Sequence, residues 1–157
     1  MNDQCILKPA TIEHAESIGR VIRDAIKRVN AKDYPLAEIN RLLQNFTTEN
    51  IAALLEHRQT LIALVGDKIV GTGAIQGVEI KSVFVSPDWH RKGIASALMS
   101  QLEKIAANDG IEKLEVSSSL SATQFYLALG YIERSRQFFE DEETVLMTKV
   151  IVPTPLG

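Results

Sequence analysis

The spacing of the apolar residues changes from a helical to a strand period near Thr60, and this change limits the folds open to the chain. Before that point, apolar side chains recur at helical spacing over residues 15–29 and again over residues 36–55. After it, β-rich runs flank Gly66-Asp67, a dipeptide typical of a tight hairpin. The pattern therefore predicts helices followed by a sheet that contains at least one hairpin.

The remaining pattern completes an order of strand, helices, three strands, helix, strand, helix and two strands. The predicted strands are residues 4–8, 60–65, 68–75, 78–85, 114–118, 131–139 and 144–151, with a long helix from Gly93 to Gly110 and a short one carrying Phe125, Tyr126 and Leu129. This order predicts a mixed α/β sheet with helices on both faces. We expect a single domain over residues 1–152 and a flexible tail over residues 153–157.

Composition narrows the possible functions. Hydrophobic residues make up 45% of the 157 residues, which can supply a core, and the formal charge of −3 provides no positive field for a nucleic acid partner. The start of the chain lacks the layout of a secretory signal, and no apolar run approaches the length of a membrane span. Cys5 has no second cysteine to pair with, and no spacing of metal ligands is present. We therefore expect a cytoplasmic protein that binds small ligands and no metal.

Residues 83–95 carry the strongest chemical signal, because they predict a strand, a tight loop and the start of a helix. The first amides of a helix lack internal partners and carry partial positive charge, which suits a phosphate or pyrophosphate. Gly93 permits close approach of the backbone, while Arg91 and Lys92 add charge. The segment has neither the Gly-Lys-Ser/Thr of a nucleotide P-loop nor a three-glycine dinucleotide fingerprint. A phosphorylated cofactor of another type is indicated.

Two blocks resemble motifs of the GNAT superfamily of N-acetyltransferases. The sequence His90-Arg91-Lys92-Gly93-Ile94-Ala95 is similar to the family's cofactor motif, Gln/Arg-x-x-Gly-x-Gly/Ala, and departs from it at His90. The sequence from Ser119 to Tyr131 is similar to the later block Asn-x-x-Ala-x-x-x-Tyr-x-x-x-Gly-Phe, with Ser119 in place of the frequent Asn. The blocks stand in the expected order, and the resemblance extends over residues 4–150.

The resemblance implies a predominantly antiparallel sheet and an N-acetyltransferase that uses acetyl-CoA and no metal. The acetyl group would pass to a primary amine of a small molecule or peptide by direct attack in a ternary complex. The residues expected to contact the cofactor are Val83, Phe84, Val85, Arg91, Lys92, Gly93, Ile94, Ala95, Ser96, Ser119, Ala122, Phe125 and Tyr126. Strand 78–85 would diverge from strand 114–118 to admit the thioester, and the Val85 amide would point at its carbonyl.

Catalytic roles follow from the same resemblance. Tyr126 matches the family's tyrosine that protonates the departing thiolate; the alternative is a residue of the core stripe of its helix. Keeping a lysine-like amine neutral at pH 7 costs about 4.6 kcal/mol, so a base is needed, and Glu79 is the candidate. Its alternative is an exposed strand residue. Glu38, Glu115 and the acidic turn of residues 140–143 compete with Glu79 for this role, but we expect them to lie on solvated faces. Tyr34 is a candidate for the acceptor pocket, or else a half-buried loop tyrosine.

Three other functions stay open at this point. The chain could be a CoA-binding sensor without catalysis, a transferase of a longer acyl group, or a partner-binding protein that uses the helices of residues 35–55. The acceptor is not identified, although the acidic turn of residues 140–143 hints at a cationic partner. The pattern leaves monomer and homodimer equally open.

Overall fold

A computed structural model describes residues 4–139 and 142–153. Part of the predicted acidic turn (residues 140 and 141) and most of the predicted tail (residues 154–157) therefore lie outside the described residues. The helices are α1 (Ala15–Arg28), α2 (Leu36–Asn45), α3 (Thr48–Leu55), α4 (Ile94–Asn108) and α5 (Thr123–Ala128). The strands are β1 (Cys5–Pro9), β2 (Gln59–Val65), β3 (Lys68–Gln76), β4 (Glu79–Val85), β5 (Lys113–Ser118), β6 (Ile132–Phe139) and β7 (Glu142–Val150).

The strands form one seven-stranded sheet in the order β1-β2-β3-β4-β5-β7-β6. Every neighbouring pair is antiparallel except β4 and β5, which run parallel. Helix α4 supplies the crossover that a parallel pair requires. The expected mixed, predominantly antiparallel α/β fold is confirmed.

Helices cover both faces of this sheet. On β2, Leu61 and Ala63 point into a core shared with α4, whereas Ile62 points into a core shared with α1, α2 and α3. This alternation follows from the two-residue period of a strand. Among the described residues, none of the helices is both long and apolar enough to cross a bilayer.

Strand β4 is distorted by a β-bulge at Ser82. Ala74 of β3 lies opposite Lys81, but Thr72 lies opposite Phe84, so β4 holds one extra residue between these pairs. Ser82 adopts the left-handed region with φ of 55°, a conformation that a residue with a side chain rarely takes. The bulge bends the second half of β4.

Strands β4 and β5 separate soon after they start. They pair only through Glu79 with Glu115 and Ile80 with Val116, although β4 continues to Val85. Beyond these pairs, no strand of the described residues lies beside the backbone of β4 on its β5 side. The sheet therefore opens into a wedge-shaped gap, and the start of α4 lies beside it.

Candidate functional site

A cavity of about 750 Å³ occupies this gap, within the size range of small-ligand pockets. Its walls come from β4, the β4–α4 loop, the first turn of α4, the end of β5, α5 and the ends of α1 and α2. The lining includes thirteen sequence-predicted residues: Glu79, Val83, Phe84, Val85, Arg91, Gly93, Ile94, Ala95, Ser96, Ser119, Ala122, Phe125 and Tyr126. Two segments far apart in sequence therefore meet around one space.

The Val85 amide points into the gap. Ser86 N–H donates to the Val70 carbonyl at 2.8 Å across β3 and β4, which makes this a hydrogen-bonded pair of the antiparallel ladder. Val85 belongs to the next pair, with Gly71, whose backbone groups face away from the partner strand. Because β5 has already diverged, the Val85 N–H faces the cavity as a donor without a strand partner.

The His90 side chain is hydrogen-bonded to the backbone carbonyl of Val85. Its Nε2 donates to the Val85 oxygen at 3.0 Å, since a carbonyl can only accept. This contact joins the loop before α4 to the end of β4. His90 departs from the family motif, and the structure gives its side chain a role in fixing the strand end that the motif alone did not indicate.

The Arg58 side chain is hydrogen-bonded to Ser82, the residue at the bulge. Its Nη1 donates to Ser82 Oγ at 3.1 Å and its Nε to Gln76 Oε1 at 3.3 Å. Burial lowers the pKa of the guanidinium, although a group with an ordinary value above 12 stays charged. Arg58 follows α3 in a segment without any motif, so sequence reasoning missed it.

The loop before α4 has an unusual backbone conformation and leaves the start of the helix uncapped. Arg91 and Gly93 both take positive φ, 63° and 77°, which turns the chain sharply into the helix. No side chain of the described residues caps α4, so the amides of its first turn stay available to an anion. The arrangement offers backbone donors at the part of the cavity wall formed by Arg91, Gly93 and Ile94.

We expect Gly93→Ala to weaken CoA binding about tenfold, because a Cβ at positive φ strains the loop by roughly 1–2 kcal/mol. Gly110→Ala is the matched control. Gly110 lies just beyond the other end of α4 with φ of 79°, and a Cβ at either glycine meets no atom within 4 Å. Both variants should lose similar stability in thermal melts, while calorimetry with CoA should separate them. Equal CoA affinities would contradict the role of the Gly93 turn.

Tyr126, on α5, lines the cavity. Its side chain is 6% exposed, and its ring packs edge to face against Phe125 and Tyr131. Its hydroxyl forms no hydrogen bond with any described residue, in contrast to that of Tyr131, which donates to Glu103 Oε2 at 2.9 Å. Burial raises the pKa of the Tyr126 hydroxyl, so the group is a protonated donor in neutral solution.

Glu79 lines the cavity near the point where β4 and β5 separate. Its side chain is 48% exposed, and Oε2 lies 3.2 Å from Lys81 Nζ. A carboxylate with solvent access can pass a proton to water, so this position permits the role of a base. Its parallel neighbour Glu115 does not belong to the cavity lining.

Two sequence-predicted residues do not line the cavity. The Lys92 side chain is exposed, with its ammonium 5.8 Å from the centroid of the Trp89 ring. Tyr34 is buried below Leu120: its hydroxyl donates to the Glu143 carbonyl at 2.8 Å and accepts from Leu120 N–H at 3.1 Å. The expectation that Tyr34 reaches the acceptor pocket is not met, because these bonds turn the hydroxyl toward the backbone of β7 and the α5 segment.

Cys5 lies on the edge strand β1, away from the cavity. Burial raises the pKa of its thiol, which disfavours the nucleophilic thiolate. Among the described residues, no group of three or more histidine, cysteine, aspartate or glutamate side chains could hold a metal ion.

The wall made by α1 and α2 was not predicted residue by residue. It consists of Ala25, Ile26, Val29, Asn30, Leu42 and Phe46. Arg28 Nη2 at the end of α1 donates to Asp88 Oδ1 at 2.8 Å, which ties α1 to the β4–α4 loop and lowers the pKa of the Asp88 carboxyl. Helical periodicity predicted the apolar faces of α1 and α2, but it did not predict that residues of these helices would line the cavity.

Glu38 on α2 corrects a prediction. We expected a solvated side chain, but the residue is only 7% exposed. Its neighbour Ile39 packs into the apolar cluster shared with α1 and α3. A single acidic residue among apolar ones gives no sequence signal that it will be enclosed.

Comparisons with known proteins agree with this architecture. A family model described as an acetyltransferase (GNAT) domain matches residues 30–150. The uncharacterized protein YyaT of Bacillus subtilis (strain 168) is 29% identical over 103 residues, which cover 62% of this chain and 70% of that protein. A GCN5-related N-acetyltransferase (aminotransferase, class II) from Rhodopseudomonas palustris superposes with a TM-score of 0.89 at 25% identity, covering 96% of this chain and 99% of that one. The PaiA N-acetyltransferase of Thermoplasma acidophilum, in complex with coenzyme A, gives 0.79 at 17% identity over 94% and 99%.

Proposed function

Because the chain belongs to the GNAT acetyltransferase family, we propose that it transfers the acetyl group of acetyl-CoA to a primary amine of a small molecule or peptide. The family match and the structural neighbours show that the protein is an acyltransferase. The finer proposal has four parts: acetyl-CoA is the donor, an amine is the acceptor, the amine attacks directly in a ternary complex, and the protein is cytoplasmic.

The observation that carries this proposal is the meeting of the Val85 amide and the Tyr126 hydroxyl in one cavity. One is a hydrogen-bond donor with no strand partner, and the other is a phenol with no partner among the described residues. Acyl transfer from a thioester needs two donors, one for the carbonyl oxygen and one for the leaving sulfur. The uncapped backbone amides of the first turn of α4 would hold the pyrophosphate of CoA, and the Thermoplasma neighbour is a complex with coenzyme A.

The proposed reaction proceeds by direct attack. The amine nitrogen donates its lone pair to the thioester carbon, and the carbonyl π electrons move to oxygen, where the Val85 N–H stabilises the negative charge. The carbon–sulfur bond then breaks as the carbonyl re-forms. The departing thiolate takes the proton of the Tyr126 hydroxyl, and the products are an amide and free CoA.

The acceptor must lose protons along this path. It is an ammonium ion at neutral pH and cannot attack until it is deprotonated. We assign this step to Glu79, directly or through a water, since its carboxylate both lines the cavity and contacts solvent. After the attack, the nitrogen gives its second proton to the phenolate left on Tyr126, and Glu79 releases the first proton to solvent, which closes the proton balance.

We expect Glu79→Gln to lower kcat/KM about tenfold near pH 7 and to change the shape of the pH–rate profile, because glutamine cannot accept a proton from the amine. Steady-state rates across pH provide the measurement. Glu115→Gln is the matched control, since Glu115 is the cross-strand neighbour of Glu79 outside the cavity lining. If both variants keep the wild-type rate and profile, Glu79 is not the base.

The proposed function is tested by following free thiol with acetyl-CoA in the presence and absence of an amine panel. Acetyl-CoA should raise the melting temperature by mass action, and thiol should appear only when an amine is added. Binding without amine-dependent thiol would instead identify a CoA sensor. Faster turnover of longer acyl-CoA donors than of acetyl-CoA would reassign the acyl group.

A further inference from the structure

Glu38 is a buried acidic residue, and one of its two carboxylate oxygens has no hydrogen-bond partner among the described residues. Among the described residues, its Oε2 is the buried side-chain polar atom that no donor reaches, and the whole residue is 7% exposed. A buried carboxylate without a donor is costly, and such groups in native proteins call for a specific explanation. A ligand that binds there would remove the cost.

Glu38 lies on the face of α2 that borders the cavity. Glu38, Leu42 and Phe46 follow one another at intervals of four residues, which places them on one stripe of the helix. Leu42 and Phe46 both line the cavity, and Glu38 stands about 6 Å along the helix axis from Leu42. The stripe leads from the cavity wall to the buried carboxylate.

The charge of Glu38 selects the kind of group that can bind. A cation stabilises a buried carboxylate through both charge and hydrogen bonds. The reacting nitrogen must lie at the gap between β4 and β5, near Val85 and Tyr126, whereas α2 packs against α1. Glu38 itself is not among the residues that line the cavity at this gap, so a cation bound at Glu38 is a different nitrogen from the one that is acetylated.

We propose that Glu38 binds a second cationic nitrogen of the acceptor, so that the acceptor carries two cationic groups, one acetylated and one held by α2. This inference rests on the proposed acetyl transfer and adds the chemical class of its substrate. It assigns specificity to Glu38 and no part in the bond-making steps.

The test uses linear α,ω-diamines of increasing length, each paired with the monoamine in which a methyl group replaces the second ammonium. For the best diamine, wild-type protein should show a kcat/KM about tenfold above that of its paired monoamine. Glu38→Gln, which keeps the shape of the side chain, should abolish this preference through a higher KM for the diamine. Its rate with the monoamine and its CoA affinity should stay unchanged. Glu49→Gln, an exposed change on α3, should retain the preference.

A second measurement does not depend on turnover: the best diamine should raise the melting temperature of the CoA-bound wild type and not that of CoA-bound Glu38→Gln. Either of two results would overturn the role of Glu38 and leave acetyl transfer standing. In the first, the wild type acetylates monoamines as well as diamines. In the second, the preference for diamines survives in Glu38→Gln. Diamine stabilisation that depends on Glu38 without any thiol release would support the site and overturn the transfer. The absence of both signals would overturn both.

Discussion

Replacing Tyr126 with phenylalanine should lower kcat by about 100-fold or more while leaving the affinity for CoA and the melting temperature close to those of the wild type. The ring would still pack against Phe125 and Tyr131, so only the proton donor is lost. The hydroxyl has no bond to a described residue, so its removal leaves no orphaned partner in that part of the chain. Single-turnover thiol release measures the effect directly.

Tyr131→Phe provides the control for this change. Tyr131 is also buried, and its ring contacts that of Tyr126, but its hydroxyl bonds to Glu103 and it does not line the cavity. Loss of the Tyr131 hydroxyl should lower the free energy of unfolding by about 2 kcal/mol, typical of a hydrogen bond to a charged group. The kcat should be preserved. A near-normal kcat in Tyr126→Phe would reduce Tyr126 to a packing residue.

The pH profile adds an independent check on Tyr126. Because burial raises the pKa of its hydroxyl above the ordinary value near 10, the group keeps its proton throughout neutral and mildly alkaline solution. A fall in kcat between pH 8 and 10 therefore should not come from Tyr126, and it should persist in any slow residual turnover of Tyr126→Phe.

Gly71→Val should destabilise the protein by about 3 kcal/mol, since overpacking a close interface forces backbone and side chains apart. A Cβ at Gly71 would lie 3.2 Å from Ile94 Cγ2 and 3.3 Å from Leu98 Cδ1, and valine adds two methyl groups beyond it. We expect a fall of about 10 °C in melting temperature for a chain of this size. CoA affinity should fall as well, because Ile94 begins the helix whose first amides face the cavity.

A double-mutant cycle tests whether crowding against Leu98 causes the loss of stability in Gly71→Val. Leu98→Ala removes one of the two atoms that a Cβ at Gly71 would crowd, so Gly71→Val should cost less in that background than in the wild type. Gly71→Ala, which adds a single carbon, should fall between wild type and valine. A Gly71→Val protein that melts like the wild type would show that β3 and α4 are not packed closely there.

The order of helices and strands could be predicted because it depends on local patterns. Apolar periodicity, the Gly66-Asp67 turn and the glycine before α4 each act within a few residues, so the element order and the family resemblance are confirmed by the fold and the family match. The individual site residues stay predictions of function, although the structure brings most of them to one cavity. Tyr34 and Lys92 are the exceptions, because an aromatic or a lysine near a pocket can as readily face another neighbour.

By itself, the sequence determined the kinds of element, their order and the two blocks that meet at the donor site, since these are properties of neighbouring residues. Only the tertiary structure decided which backbone groups lack partners. Among the described residues, the Val85 amide lacks a strand partner because β5 diverges, and a side chain at Gly71 would crowd Ile94 and Leu98 of α4. Glu38 is buried only in the folded chain. Each depends on contacts between segments distant along the chain, and no local pattern records them.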